Sequence, residues 1–254
     1  MFTSIFFFEI KYWLKQPSTY VFMIIMTLLG TGVMAGYAGM FDDTLSAQPI
    51  PKLANSAINI HRIFSVFKEL LLILLPIVFG QTIYRDFSSG IHSVFYSYPF
   101  FKVNFYLAKF LSAFAIMVLV SLFLGVGCVL GTFLPGVDAN LLGSFSLTTY
   151  GVEYLVFVWP NILAFGMMIF VSVALSRNIY SGFVVAIGIV VTQQILGRIF
   201  VSTDNMTLFS LFDPFGAVPI QYYTYLWTVT EQNTLNLNVT GLVLYNRLFW
   251  LAIG

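Results

Sequence analysis

The sequence predicts an all-α, polytopic helical membrane protein: an N-terminal interfacial helix followed by about six transmembrane helices, the sixth truncated. Three observations carry that prediction. Of 254 residues, 59% are hydrophobic and only 8% are charged, whereas a soluble domain averages about 25% charged residues. Uncharged apolar runs of about 20 residues, the length that crosses a bilayer, recur along the chain. Short polar connectors holding proline, glycine and charge separate them. So few charges cannot cover a water-facing surface, which argues against a soluble enzyme or a disordered chain. The net charge of +1 supplies no field to draw in nucleic acid, so no nucleic-acid partner is expected.

Residues 1–15 begin as MFTSIFFFEIKYWL. A helix gathers Phe2, Ile5, Phe6, Ile10 and Trp13 on one side and sets Glu9 and Lys11 toward the other. Gln16-Pro17 breaks it, because proline lacks a donor and disfavours helix in the residue before it. An amphipathic helix lying in the membrane interface fits best, since Glu9, Lys11 and Lys15 are costly in hydrocarbon. The first span is roughly 19–39. Its Gly32 and Gly36 have the spacing that lets helices approach closely.

A polar loop over 41–60 leads to a second span at roughly 64–84. Lys68 and Glu69 lie near its start, within reach of the interface, and Pro76 predicts a kink. The third span is roughly 106–131, with Gly127 and Gly131 repeating the close-packing spacing. The fourth is roughly 153–175, with Trp159-Pro160-Asn161 in its first third. Arg177-Asn178 makes a very short connection to the fifth, roughly 179–200. Residues 201–240 form an aromatic, proline-punctuated segment expected on the extracytoplasmic side. The last apolar run, 241–254, is too short to cross and includes Arg247. It stops without a polar exit, which predicts that the single transmembrane unit 1–254 is a part of a longer protein.

Lys11 and Lys15 precede the first span while only Lys52 follows it at a distance. That places the N-terminus on the cytoplasmic side. Phosphate-loop and His-Glu-x-x-His signatures are absent. The chain itself is therefore read as neither an ATPase nor a peptidase, with no catalytic, cofactor or metal residues assigned. Cys128 is the one cysteine and reads as a small packed hydrophobe. His61 and His92 fall on opposite sides of the membrane and read as loop or interface residues. The spans hold almost no ionisable groups, which disfavours an ion- or proton-coupled path. Gln194 and Arg198 share a face late in the fifth span, and with Gln193 they read as a helix end leaving the membrane.

The connector 84–111 is the informative piece. Tyr84-Arg85-Asp86 forms a charged exit from the second span and Gly90 follows. A short amphipathic helix then presents Ile91, Val94 and Phe95 on one side. Pro99 ends it, and Lys102 and Lys109 flank entry to the third span. A helix so placed can take a push from a soluble partner and pass it to two spans.

These residues resemble the membrane subunit of type-2 ABC transporters, the exporter-type permease family. Members share an N-terminal interfacial helix, six spans and a coupling helix between the second and third. Arg85, Asp86, Gly90, Pro99 and Lys109 fit the family's pattern; Tyr84 departs from it, near where many members have a glutamate. Asp213-Pro214-Phe215-Gly216, Tyr225-Leu226-Trp227-Thr228, Glu231-Gln232-Asn233 and Asn246-Arg247-Leu248-Phe249-Trp250 are similar to a bacterial subgroup whose permease segments are joined to a zinc aminopeptidase-like domain. Gln232 stands where that subgroup commonly has arginine.

The resemblance implies a multi-pass subunit of a bacterial cytoplasmic (inner) membrane. It would work with a second permease unit and with separate ABC ATP-binding subunits that carry ATP and magnesium. The competing reading is a non-transporting membrane anchor or mechanical relay for a periplasmic enzyme or partner. A membrane-embedded enzyme and an ion channel both lack the constellations they need.

Overall fold

The computed structural model describes residues 2–42, 52–90, 101–200 and 206–254, without the side chains of 197–200 and 206. The expected connector helix with Ile91, Val94, Phe95 and Pro99 lies outside them, as do His92 and the side chain of Arg198. The described residues are helical and contain no strand. Five helices are long and apolar enough to cross a membrane, the make-up of a multi-pass membrane protein.

Helix α1 (Phe2–Lys15) is separated from α2 (Pro17–Tyr37) by Gln16, whose ψ of 127° is extended, with Pro17 opening the second helix. The corner is tied by Thr19 Oγ1 and Tyr20 Oη, which donate to the carbonyls of Trp13 and Leu14, both at 2.8 Å. Only Lys11 takes the polar side expected for it. Glu9 lies on the same face as Trp13 and both are 2% exposed, while Phe7 and Phe8 point outward.

Helix α3 (Ala57–Ser88) and helix α5 (Leu147–Ser176) each start about two turns before the spans that hydropathy predicts. The reason is packing: Ile58, Ile60 and Ile63 bury the first turns of α3, and Ser146 caps α5 by accepting from the Thr149 amide. Lys68, expected near an interface, therefore sits three turns inside its helix. Each of these helices contains one wider turn, at Pro76–Gly80 and at Glu153–Val158. Pro76 opens the first and Pro160 follows the second, so each wide turn sits where a ring displaces the helical ladder.

Helix α4 (Lys102–Gly131) packs along α2 through a glycine seam. A Cβ on Gly127 would meet the Thr27 backbone and one on Gly30 the Leu124 carbonyl; one on Gly131 would fall 2.6 Å from the Thr31 carbonyl. Thr31 Oγ1 also donates across the seam to the Gly127 carbonyl at 3.0 Å. The expected Gly127/Gly131 spacing is thus used, but its partner on α2 is Gly30. Gly32 faces open space and Gly36 meets only the Phe41 ring.

Arg177, in a left-handed conformation at φ 55°, turns the chain from α5 into α6 (Ile179–Phe200). Beyond 205 come α7 (Met206–Phe212), α8 (Ala217–Thr224), α9 (Val229–Thr234) and α10 (Leu242–Ile253). The last, at 12 residues, is as short as its apolar run predicts. Outward faces of α2 (Val21, Ile24, Ile25, Leu28) and α6 (Val184, Ile187, Val191, Ile195) are apolar, suited to acyl chains rather than water.

The alternating helices give the bundle two ends. One end holds α1, the end of α3 and the start of α4. The other holds the starts of α3, α5 and α10 and the loops between them, laced by Asn55 and Gly143, which exchange two hydrogen bonds of 2.7 Å.

Candidate functional site

At the α1 end, three of the predicted residues come together around one that sequence reasoning missed. Arg85, on the last turns of α3, donates from Nη2 to both carboxylate oxygens of Glu9 at 2.7 Å. Its guanidinium lies 3.9 Å from the centre of the Tyr12 ring. Lys109, two turns into α4, places Nζ 3.1 Å from Glu9 Oε1 and donates to Asp86 Oδ1 at 2.8 Å and to the Thr82 carbonyl at 2.9 Å. Trp13 Nε1 donates to Thr82 Oγ1 at 2.9 Å.

Two cations and two carboxylates thus form a neutral cluster joining three helices, with Glu9 and Lys109 buried and Arg85 and Asp86 half-buried at its edge. The two buried charges are matched, so loss of Glu9 or Lys109 strands its partners. The placement follows from local pattern. Glu9 and Trp13 are one helical turn apart, and Arg85 and Asp86 sit where α3 leaves its apolar stretch.

The remaining predicted residues are apart from this cluster. Gly90 follows α3 at φ +70°, exposed, and a Cβ added there would have no atom within 4 Å. Lys102 is the exposed first residue of α4. A cleft of about 600 Å³ runs beside the cluster, with Ser4, Ile5, Phe8 and Phe105 on its walls.

The opposite end carries a second polar group, to which the sequence alone assigns no role. His61, expected in a loop or interface, is buried in α3 with Nδ1 3.0 Å from Glu153 Oε2. Glu153 is the first residue of the wide turn in α5 and is 2% exposed. The next residue, Tyr154, puts its hydroxyl into the backbone ladder of α4. It donates to the Ser121 carbonyl at 3.0 Å and accepts from the Gly125 amide at 2.9 Å.

Arg247 of α10 is held by Asn161 Oδ1 at 2.7 Å, by the Pro214 carbonyl at 3.2 Å and by the neighbouring Asn246 side chain. Asn246 Nδ2 in turn donates to the carbonyls of Ser210, Leu211 and Asp213. Asp213 accepts from the amides of Phe215 and Val218. The Asp213-Pro214-Phe215-Gly216 turn is thereby clasped onto α10, with Gly216 at φ +72° and Arg247 where its Cβ would be.

One signal for this group stands in the sequence: Asn246-Arg247 inside an apolar run. The His61–Glu153 pairing, at a separation of 92, leaves no local trace. Among the described residues no group of three or more His, Cys, Asp or Glu side chains could hold a metal ion.

No protein-family model, curated protein or solved structure matches this chain.

Proposed function

We propose that this chain is the membrane-spanning permease subunit of an ATP-driven ABC transporter of the exporter type. It acts with a second permease unit and with separate nucleotide-binding subunits that supply ATP and magnesium. The single observation that supports this reading is the Glu9–Arg85–Asp86–Lys109 cluster. The connector between α3 and α4 leaves one long helix just after Asp86, at Ser88, and enters the other at Lys102, two turns before Lys109. Lys109 is ion-paired to Glu9 of the N-terminal helix, and Asp86 is linked to it through Lys109. A rigid-body push on that connector is then delivered to three helices at once, and two-state packing turns it into a change at the far end. In this reading α1 lies in the cytoplasmic interface and the 206–240 segment covers the outer side.

The test is isolation from native membranes in mild detergent, with mass spectrometry of every chain that comes with it. A partner carrying a phosphate loop is the expected result. In the isolated assembly, Asp86→Ala should leave ATP hydrolysis running while transport-linked stimulation is lost. Absence of any ATPase under conditions that hold complexes together overturns the proposal and leaves the anchor or relay reading.

A further inference from the structure

We propose that Ser65, His61 and Glu153 form a serine-hydrolase triad at the end of the bundle opposite α1, acting on a short acyl ester held in the cleft beside them. Such an activity goes beyond the transporter reading and belongs to this chain alone.

Three side chains from two helices stand in the order that acyl transfer needs. Glu153 Oε2 lies 3.0 Å from His61 Nδ1, and His61 Nε2 lies 3.4 Å from Ser65 Oγ. An ionised Glu153 fixes the proton on Nδ1 and turns the Nε2 lone pair to the serine. The second distance is long, as is usual for a nucleophile and its base before substrate draws them together. His61 and Ser65 are one helical turn apart on the same face of α3, and the wide turn of α5 supplies the carboxylate. The Ser65 hydroxyl is unlike others in these helices. Thr27, Thr82, Thr192 and Thr224 each donate to the carbonyl four residues earlier, the common use of a hydroxyl inside a helix. Among the described residues, Ser65 has the His61 imidazole as its only hydrogen-bond partner.

Ser65 has room for a substrate on one side and for the charge that the reaction develops on the other. A cleft of about 430 Å³ is lined by His61 and Ser65 together with Tyr37, Arg62, Ile220 and Gln221, inside the range of about 300–1,000 Å³ typical of small-molecule sites. On the other side, His61 and Ser65 border a chamber of about 40 Å³, room for roughly one water or one carbonyl oxygen. Lys68 and Asn161 border the same chamber. Arg247 donates to Asn161 Oδ1 at 2.7 Å, and a guanidinium can only donate, so the Asn161 Nδ2 donors are left for the chamber. The Lys68 ammonium lies 4.9 Å from the centre of the Phe215 ring, and among the described residues no acceptor is within its hydrogen-bond reach. An amide and an ammonium on one small chamber are the donors of an oxyanion site.

The Ser65 oxygen bonds to the ester carbonyl carbon as its proton passes to His61 Nε2, and the carbonyl oxygen takes up negative charge toward Lys68 and Asn161. The bond to the leaving oxygen then breaks, and that oxygen departs as the alcohol with the proton from Nε2. Water from the open cleft repeats both steps on acyl-Ser65, releasing the carboxylic acid and restoring the hydroxyl. Glu153 holds the Nδ1 proton and steadies the imidazolium throughout.

The experiment uses the whole chain in mild detergent, with a fluorophosphonate as covalent probe and p-nitrophenyl butyrate as substrate. Expected is one adduct, mapped to Ser65 by peptide mass spectrometry, and turnover that the adduct abolishes. Ser65→Ala should lose both at an unchanged thermal midpoint. His61→Gln should slow labelling by at least about a hundredfold, the lower end for a general base. Lys68→Met should lower kcat by about a hundredfold or more with KM little changed, the signature of a lost oxyanion donor. Glu153→Gln, which misplaces the imidazole, should likewise act on kcat and spare KM. Ser65→Ala and Lys68→Met break no ion pair, so they decide the matter even where the His61 or Glu153 variant does not fold. Folded wild type that takes no adduct at Ser65, or turnover that survives Ser65→Ala, overturns the proposal.

Discussion

Glu9 shows how much one buried side chain can decide. It is the shared partner of Arg85 and Lys109, so Glu9→Ala leaves the half-buried Arg85 without a carboxylate and the buried Lys109 with Asp86 alone. A loss of about 3–5 kcal/mol is expected, the cost of breaking a buried pair from one side, read as a drop in thermal midpoint in detergent. The Glu9→Arg, Arg85→Glu double variant should recover part of it. At the exposed extreme, Glu231 accepts from the Thr228 amide at 2.7 Å and hydroxyl at 2.8 Å, closing a capping box at the start of α9. Those two bonds hold its carboxyl below the usual carboxylate range. Its contribution is therefore fully present above the ordinary glutamate pKa and fades as pH falls through the lowered value. Hydrogen-exchange protection factors over 229–234, corrected for the intrinsic pH dependence of amide exchange, should fall on acidification in wild type and be flat with pH in Glu231→Gln. Thr228 and Glu231 have the spacing of a capping box, which the structure shows closed. The burial of Glu9 is not legible in the sequence, because a helical projection places a charge opposite the apolar side unless a distant cation is known to wait for it.

At the scale of elements, α5 is shaped by its wide turn. The turn at Glu153–Val158 lets one residue reach His61 on α3 and the next reach the backbone of α4. Tyr154→Phe removes the hydroxyl that stands between the Ser121 carbonyl and the Gly125 amide. A loss of about 1–3 kcal/mol is expected for orphaning buried backbone groups, with faster exchange at the Gly125 amide as the specific readout. Existence and order of the long helices are legible from hydropathy, and both prolines that accompany wide turns are visible. Helix starts are not. Hydropathy places them where charge ends, while α3 and α5 begin earlier on residues whose burial comes from tertiary packing, and those two extra turns carry His61 and Glu153 inside. The glycines of α2 mislead for a related reason: spacing alone cannot say which of Gly30, Gly32 and Gly36 faces α4.

At the scale of the whole molecule, the long helices alternate in direction, so polar residues sort to two ends. Single cysteines at Lys11, Lys102 and Arg177 should then label with a membrane-impermeant maleimide from one side only, and those at Arg62 and Glu231 from the other, in a Cys128→Ala background. Labelling of both sets from one side would refute this topology. The class of the protein is legible from composition alone. Its ion pairs are not, because Glu9 with Arg85 and Lys109, Asp86 with Lys109, and His61 with Glu153 each join different helices, and no window along the chain contains both partners. The seam between α2 and α4 carries one more consequence. Where backbone touches backbone there is no room for any side chain, so chemical character is irrelevant and only size counts. In a library of random substitutions selected for a folded product, codons 30, 127 and 131 should return almost nothing but glycine. Codons 32 and 188, whose glycines face open space, should drift freely to alanine and larger apolar residues, writing the path of the seam into the survivors.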